Sequence, residues 1–298
     1  MSLRAQAFMS VAELNTPSRA AGFVALLRPR EWVKNTFVLA PLVFAGAFSD
    51  PASIMRAVAA FVLFCIASSS VYVLNDIHDI DEDRMHPVKA RKRPLAAGII
   101  GTRDAMLVLV VLYGIILGAY VLKPAFMQVV LCYIGLNIAH TWFLQKQPVV
   151  DIFSISIGFV MRVYAGAQAI AVPVSAWMFV TTLCLALYLA TIKRRQELNL
   201  NEATGRDVLK QYTVPLLDRY AQTAATGALV FYSLFVMSTR PELVFTIPIV
   251  LFGLFRYGWL VECRKAGESP SDALLGDWQL MVTIAVWLAT CVWAISAG

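Results

Sequence analysis

The sequence predicts an all-α, polytopic membrane protein: a bundle of nine transmembrane helices with its long polar loops in the cytoplasm. Three observations predict this fold class. Hydrophobic residues make up 59% of the 298 residues and charged residues only 15%, against about 25% charged residues in a soluble domain. Several runs without Asp, Glu, Lys or Arg approach the roughly 20 residues that cross a bilayer. Lys and Arg are concentrated in alternate loops, which is typical of cytoplasmic segments.

The candidate spans follow one another through short connections, which favours antiparallel neighbours in one bundle. They must be helical, because a backbone in lipid has to satisfy its own hydrogen bonds. The strand-like alternation of a transmembrane barrel is absent from the sequence. In chain order the predicted spans are 36–49, 51–74, 105–122, 124–144, 152–173, 174–192, 220–239, 243–261 and 278–298.

The loops set the expected orientation. Residues 1–22 lack the apolar core of a signal peptide, so we predict a cytoplasmic N-terminal tail and a single transmembrane domain over 23–298. The net charge of +6 then reports topology and gives little support to a nucleic-acid partner. We expect an inner (plasma) membrane protein with its C-terminus outside. Of the 25 Lys and Arg, 18 lie in the predicted cytoplasmic segments 1–35, 75–101, 145–149, 193–214 and 262–275.

An acidic block follows the second predicted span, in "NDIHDIDEDRMHPVKARKRP" from residue 75 to residue 94. Asp76, Asp79 and Asp83 are spaced i, i+3 and i+7, which places them on one face of a continuing helix. Their charges repel unless a cation lies among them, and oxygen ligands without His or Cys suit Mg²⁺. Asn75 could add a ligand or orient Asp79. The alternative is a solvated acidic helix end.

A basic run follows at once. Its members could bind phosphate, or two or three of them could be ordinary positive charges of a cytoplasmic loop. The run comprises Arg84, Lys89, Arg91, Lys92 and Arg93.

"NDIHDIDEDR" followed by "RPLAAG" resembles the NDxxDxxxDR signature of the UbiA superfamily of intramembrane prenyltransferases. The resemblance implies nine transmembrane helices with the chemistry on the cytoplasmic loops after spans 2 and 6. It also implies that Asp76, Asp79 and Asp83 are catalytic and hold Mg²⁺ against the diphosphate of a donor. Arg84, Lys89 and Arg93 would then bind the remaining phosphate oxygens.

The second acidic motif usual in that superfamily is replaced here by "YLATIKRRQELN". A cationic second site suits a donor with a diphosphate at one end and a phosphate elsewhere, such as phosphoribosyl pyrophosphate. The segments "LLRPREWVKNTFVLAPLVFAG", "DIFSISIGFVMRVYAGA" and "VLKQYT" resemble the branch that acts on decaprenyl phosphate. That branch transfers 5-phosphoribose to a polyprenyl phosphate and releases pyrophosphate, which implies a role in cell-wall arabinogalactan precursor synthesis.

The resemblance implies roles for the residues of the second motif. Lys193 and Arg194 would bind the ribose 5-phosphate or the lipid phosphate, with Lys193 counted among the catalytic residues. Glu197 would orient them or bind a ribose hydroxyl, although Lys193 and Glu197 at i, i+4 could simply pair. Tyr188, on the inner half of the sixth span, could touch the ribose or be an ordinary interfacial tyrosine.

Two further cations are candidates for substrate binding. Lys34, in "EWVKN", could bind substrate or anchor the chain at the interface beside Trp32. Arg162 lies about ten residues into the fifth span, where an unpaired charge would be expensive. We expect it to face the protein interior, toward a donor phosphate or toward Asp151. His140 is expected to bond to Asn137.

Two other functions compete with phosphoribosyl transfer. A prenyltransferase of the same fold would use a prenyl diphosphate donor and an aromatic acceptor, and the "KRR" run argues against it. A transporter would place charged or broken helices near the centre of several spans, where only Arg162 lies. The oligomeric state stays open, a homo-oligomer included.

Overall fold

The computed structural model describes residues 18–85, 88–200, 207–264 and 270–297, and within these ranges the chain is built from helices and turns without strands. Short 3₁₀ segments, such as Pro29–Leu39, join some of the α-helices. In chain order the α-helices are α1 Arg19–Leu27, α2 Ala40–Phe44, α3 Pro51–His78, α4 Ile80–Met85, α5 Lys89–Lys92, α6 Thr102–Leu122, α7 Pro124–Trp142, α8 Val150–Ile170, α9 Ala176–Leu200, α10 Val214–Thr239, α11 Ile247–Arg264, α12 Pro270–Gly276 and α13 Trp278–Ala297.

Eight helical segments in the described ranges are long and apolar enough to cross a membrane. Large apolar side chains on them stand exposed, including Val121, Leu122 and Phe255. Large apolar side chains exposed in this number are unusual on soluble monomers and are expected where helices face lipid. The chain is therefore an all-α, polytopic membrane protein.

The first predicted span, 36–49, is not one continuous helix. The 3₁₀ segment Pro29–Leu39 is followed by the five-residue α2 and by a second 3₁₀ turn, Ala47–Ser49. Pro41 falls in the first turn of α2, and Gly46 has a left-handed backbone with φ of 71°. Both are places where helices start or stop. Hydropathy counts apolar residues and does not register these breaks.

The chain divides into two compact units, of which the first comprises Met1–Pro29 and Ile66–Leu117. Its core joins Leu26 of α1 to Val73 of α3 and to Leu95 and Ile100 of the following loop. The Ser69 hydroxyl donates to the carbonyl of Leu27 over 2.8 Å, which fixes the end of α1 against α3. Helix α1 thus begins inside the segment predicted as a tail, whose residues 1–17 lie outside the described ranges.

The second unit comprises Arg30–Cys65 and Gly118–Gly298. One apolar cluster joins Val163 of α8, Tyr232 of α10 and Cys291 of α13. Helix α8 approaches the 3₁₀ segment so closely that a Cβ on Gly166 would lie 1.9 Å from the carbonyl oxygen of Val38. Only glycine permits this contact.

Candidate active site

Two buried carboxylates of the predicted motif are joined by arginine in the first unit. Asp76 lies in the last turn of α3 and Asp83 in α4, and each residue is 1% exposed. The guanidinium of Arg93 lies 3.0 Å from an oxygen of Asp76 and makes a shorter contact with Asp83. Arg28 makes another short contact with Asp76, and its guanidinium lies over the ring of Tyr72. We call Arg28, Asp76, Asp83 and Arg93 the acidic cluster.

The backbone explains why these carboxylates meet. Helix α3 ends at His78 and α4 begins at Ile80, so the predicted continuous helix is interrupted at Asp79. Hydrogen bonds from the Asp79 N–H to the Asn75 carbonyl and from the Asp83 N–H to the Asp79 carbonyl nevertheless keep the i, i+4 spacing. Side chains seven residues apart therefore stay on one side.

Asp79 differs from its two neighbours because it is only half-buried. Burial raises the pKa of Asp79, and repulsion from Asp83 raises that pKa further, while Arg93 opposes the shift. The Asp79 carboxylate therefore lies in a field that a nearby cation would relieve.

The acidic cluster has the chemistry of a divalent-cation site. One oxygen of each buried carboxylate, Oδ2 of Asp76 and Oδ1 of Asp83, accepts no hydrogen bond. Buried acceptors without donors are costly, and Mg²⁺ binds such oxygens. No group of three His, Cys, Asp or Glu side chains is arranged to hold a metal in the part of the chain that the structure describes. Two carboxylates still fit, because Mg²⁺ is usually shared with substrate phosphates and water.

The other predicted residues of this loop lie around the acidic cluster. Lys89 places its Nζ 3.5 Å from Asp83, and Asn75 is half-buried in α3. Arg84 is exposed and pairs with Asp81 over 3.4 Å, so the structure does not bring it to the buried carboxylates.

Arg28 is the residue of this site that sequence reasoning missed. It caps α1 in the left-handed region with φ of 52°, directly before Pro29. Non-glycine residues in that region are uncommon and concentrate at functional sites. The signal available in the sequence is an arginine directly before a proline, ahead of the first predicted span. The sequence-based prediction includes Arg28 only as one of the charges of the cytoplasmic segment 1–35.

The second motif forms a buried network in the other unit. Arg194, 1% exposed, donates to Asp151 over 2.7 Å and to Glu197 over 2.6 Å. The Tyr212 hydroxyl donates to the other Asp151 oxygen and accepts the N–H of Val149, both over 2.6 Å. Burial and the bond to Asp151 raise the pKa of Tyr212, so Tyr212 stays protonated and able to donate. We call Asp151, Arg194, Glu197 and Tyr212 the Asp151 network.

The "KRR" run therefore has carboxylates beside each of its charges. Lys193 lies 3.7 Å from Glu197, with 37% of its side chain exposed. Arg195 pairs with Asp218 over 2.5 Å and with Glu262 over 2.7 Å. Lys193 has the most exposed charge of this run and Arg194 is enclosed by protein, so an open cationic site stays a prediction that centres on Lys193. Local sequence could not reveal partners that come from other helices.

Arg162 faces the interior of its unit, as expected, but the expected pairing with Asp151 is wrong. Its guanidinium donates to the Asn35 side chain over 2.9 Å, to the Gly158 carbonyl over 2.8 Å and to the Tyr133 hydroxyl over 2.9 Å. Aromatic rings surround it, with that of Tyr133 at 4.8 Å and that of Phe159 at 5.1 Å. Neutral acceptors and cation–π contacts stabilise this buried charge.

Three remaining residues have ordinary local partners. Lys34 makes a short ion pair with Glu31. Tyr188 packs edge-on against Tyr257, with 5.7 Å between ring centroids, in an apolar cluster. His140 bonds to Ser154 over 2.8 Å and not to Asn137 as expected, and the Asn137 amide donates to the carbonyl of Tyr133.

Comparison with known proteins identifies the family. Residues 36–273 match the sequence profile described as "UbiA prenyltransferase family". The chain belongs to the UbiA prenyltransferase family. This match includes both the acidic cluster, except for Arg28, and the whole Asp151 network.

Among curated UbiA relatives, the decaprenyl-phosphate phosphoribosyltransferase of Mycobacterium tuberculosis is 35% identical over 93% of this chain and 95% of its own length. The protein of the same name from Corynebacterium glutamicum is 33% identical over 93% of this chain and 87% of its own length. Both similarities run through nearly the whole chain.

The UbiA fold is confirmed by solved structures. A UbiA homolog from Archaeoglobus fulgidus bound to GPP and Mg²⁺ matches with a TM-score of 0.68. The match covers 92% of this chain and 99% of that one at 18% identity. At this identity the likeness shows the fold alone.

Proposed function

We propose that this UbiA-family protein transfers the 5-phosphoribosyl group of phosphoribosyl pyrophosphate to a polyprenyl phosphate and releases pyrophosphate. The observation that carries the proposal is the 35% identity, over 93% of the chain, to a decaprenyl-phosphate phosphoribosyltransferase. Similarity of this extent covers both charged sites, so that the proposal does not depend on one motif.

The acidic cluster would hold the diphosphate end of the donor. Asp76 and Asp83 offer the unbonded carboxylate oxygens, with Asp79 at the edge, and these residues would hold Mg²⁺. A bound Mg²⁺ would neutralise the charge that develops on the leaving pyrophosphate. Arg28, Lys89 and Arg93 would supply charge-assisted hydrogen bonds to its oxygens.

The proposed reaction exchanges one bond at C1 of the ribose. The bond from C1 to the diphosphate oxygen breaks, its electrons leave with pyrophosphate, and an oxygen of the lipid phosphate bonds to C1. A phosphate monoester is already anionic near neutral pH, so the reaction needs no general base. The site residues accordingly bind and orient charge instead of moving a proton.

The second site would receive the remaining phosphate. Lys193 is our candidate ligand for the ribose 5-phosphate or the lipid phosphate, because it is the part-exposed cation of its motif. Arg194 would hold Glu197 in place to orient Lys193. The buried or apolar surroundings of Arg162 and Tyr188 suit support of the site better than direct binding.

We further propose nine membrane passes, with 36–49 as a broken first pass, a cytoplasmic tail over 1–22 and one transmembrane domain over 23–298. Both sites would then face the cytoplasm. The distribution of Lys and Arg supports this orientation.

A transfer assay tests the function. Purified protein is incubated with ribose-labelled phosphoribosyl pyrophosphate, polyprenyl phosphate and Mg²⁺, and label should move into the organic phase. EDTA should abolish transfer, Mg²⁺ should restore it, and Asp76→Ala or Asp83→Ala should remove most activity. Label that stays aqueous, while a prenyl diphosphate is consumed with an aromatic acceptor, would instead establish ordinary prenyl transfer.

A further inference from the structure

The negative charges of the acidic cluster are compensated without a metal. Asp76 and Asp83 are contacted by three cations, Arg28, Lys89 and Arg93, within 3.5 Å. The two buried carboxylates thus face three side-chain cations, so an added divalent ion would increase the excess of positive charge. Binding of the metal therefore favours withdrawal of one resident cation.

The structure distinguishes the three cations by their contacts with the two buried carboxylates. Arg28 is held by its left-handed cap position and by Tyr72, 4.9 Å below its guanidinium. Arg93 follows the four-residue α5 at its C-cap, whereas Lys89 contacts Asp83 over 3.5 Å. Among the described cations of the cluster, Arg93 alone contacts both carboxylates. Arg93 contacts Oδ1 of Asp76 and Oδ2 of Asp83, so its positive charge lies beside the two carboxylate oxygens that accept no hydrogen bond.

We propose that Arg93 is a built-in competitor of the divalent cation. In the donor-free protein it bridges Asp76 and Asp83 and lowers their affinity for metal. When the donor arrives with its metal, the guanidinium moves from the carboxylates to the diphosphate oxygens. The inference rests on the Mg²⁺ requirement of the proposed function, and it makes metal binding and donor binding mutually supportive.

If Arg93 competes with the metal, its replacement should change the affinity for metal and the affinity for donor in opposite directions. The Arg93→Gln protein should bind metal more tightly without donor, because the competing cation is gone. It should bind the donor more weakly, because a charge-assisted bond to diphosphate is lost. A residue that only held the fold together would weaken both.

Binding of Mn²⁺, a paramagnetic substitute for Mg²⁺, measures the first change without turnover. Full-length protein in detergent is titrated with Mn²⁺ and free ion is followed by electron paramagnetic resonance. We expect the Kd for Mn²⁺ to fall about tenfold in Arg93→Gln, or about 1.4 kcal/mol. Arg91→Gln is the matched control, since it removes the same charge from an exposed position of α5. Its Kd should change less than twofold.

Two further measurements keep the test decisive if Arg93→Gln folds poorly. Its unfolding temperature should rise on addition of Mn²⁺ by several degrees more than that of wild type, because the metal replaces the missing cation. Arg93→Lys, which keeps the charge but lacks a planar fork for two carboxylates, should lie between wild type and Arg93→Gln in Mn²⁺ affinity.

Unchanged or weaker Mn²⁺ binding by Arg93→Gln would overturn the competition, as would equal tightening in Arg91→Gln. Wild-type phosphoribosyl transfer is assayed on the same preparations. If wild-type protein transfers phosphoribose but Arg93→Gln binds Mn²⁺ no more tightly, the role of Arg93 is rejected and the proposed function stands. If Arg93→Gln binds Mn²⁺ more tightly but wild-type protein transfers no phosphoribose, the proposed substrates are rejected. Arg93 then still competes with the cation.

Discussion

Buried arginines in this protein are stabilised in two different ways. Arg194 is enclosed by the carboxylates of Asp151 and Glu197, whereas Arg162 is surrounded by neutral oxygens and aromatic rings. Removal of one partner from a buried ion pair is far more damaging than loss of an exposed charge, because the other charge stays behind unpaired. The two adjacent cations of the second motif should therefore respond differently to substitution.

We predict that Arg194→Gln destabilises the protein while Lys193→Gln impairs substrate binding. Loss of the buried guanidinium should cost about 3–5 kcal/mol of unfolding free energy. Loss of Lys193 should remove a phosphate contact worth about 1.5–3 kcal/mol, which is about 10- to 150-fold in KM or kcat/KM. Unfolding in detergent, and kinetics per folded molecule with donor and lipid varied separately, measure the two effects.

Two results would contradict these assignments for Arg194 and Lys193. Arg194→Gln protein with wild-type stability and a raised donor KM would assign the phosphate contact to Arg194. Wild-type kinetics for Lys193→Gln would return Lys193 to the role of a loop charge paired with Glu197.

At the scale of elements, one close approach controls how the broken first span packs in its unit. Helix α8 presents Gly166 to the backbone of Val38, and the same 3₁₀ segment carries Asn35, which binds Arg162. Backbone in that segment cannot move aside as a flexible side chain could. The contact therefore fixes the position of helix α8 and also that of Asn35, which accepts a hydrogen bond from Arg162.

We predict that Gly166→Ala prevents proper folding or greatly lowers the unfolding temperature, because its Cβ would lie 1.9 Å from the Val38 carbonyl oxygen. Gly135→Ala in α7 is the control, since a Cβ there meets nothing within 4 Å. That substitution should be neutral or slightly stabilising, as for most glycines in helices. The two variants are compared by their yield of monodisperse protein and by their unfolding temperature in detergent. Equal stability would show that α8 can shift without loss of the fold.

At the scale of the whole molecule, the division of charge between alternate loops predicts orientation. Lys123 lies between α6 and α7, and Lys210 lies in the 3₁₀ segment before α10; both are exposed. The positive-inside rule places Lys210 in the cytoplasm and Lys123 outside.

We therefore predict that Lys123→Cys reacts with an impermeant thiol reagent in intact cells, whereas Lys210→Cys reacts only after the cells are opened. The background exchanges the exposed Cys132 and Cys263 for serine. Labelling of Lys210→Cys from outside would reverse the orientation and place the second site on the wrong side for a cytoplasmic donor.

The sequence by itself determined the membrane class, most of the spans and the acidic residues. These features depend on local composition and on residue spacing within one helix, and both are properties of the linear sequence. Asp76 and Asp83 were found this way because seven residues return to the same side of a helix. The breaks of the first span were missed because proline and glycine act through backbone geometry, which an apolar count ignores.

Only the tertiary structure decided which charges meet. Arg28 reaches Asp76 from 48 residues away, and Arg194 takes Asp151 from 43 residues away. Arg162 lies eleven residues from Asp151 on the continuous helix α8, about 16 Å at 1.5 Å per residue, so it bonds to neutral partners and does not reach that carboxylate. The attraction between two charges depends on their distance in space and not on their separation in the sequence. The partner of a buried ion therefore depends on how helices from distant parts of the chain pack.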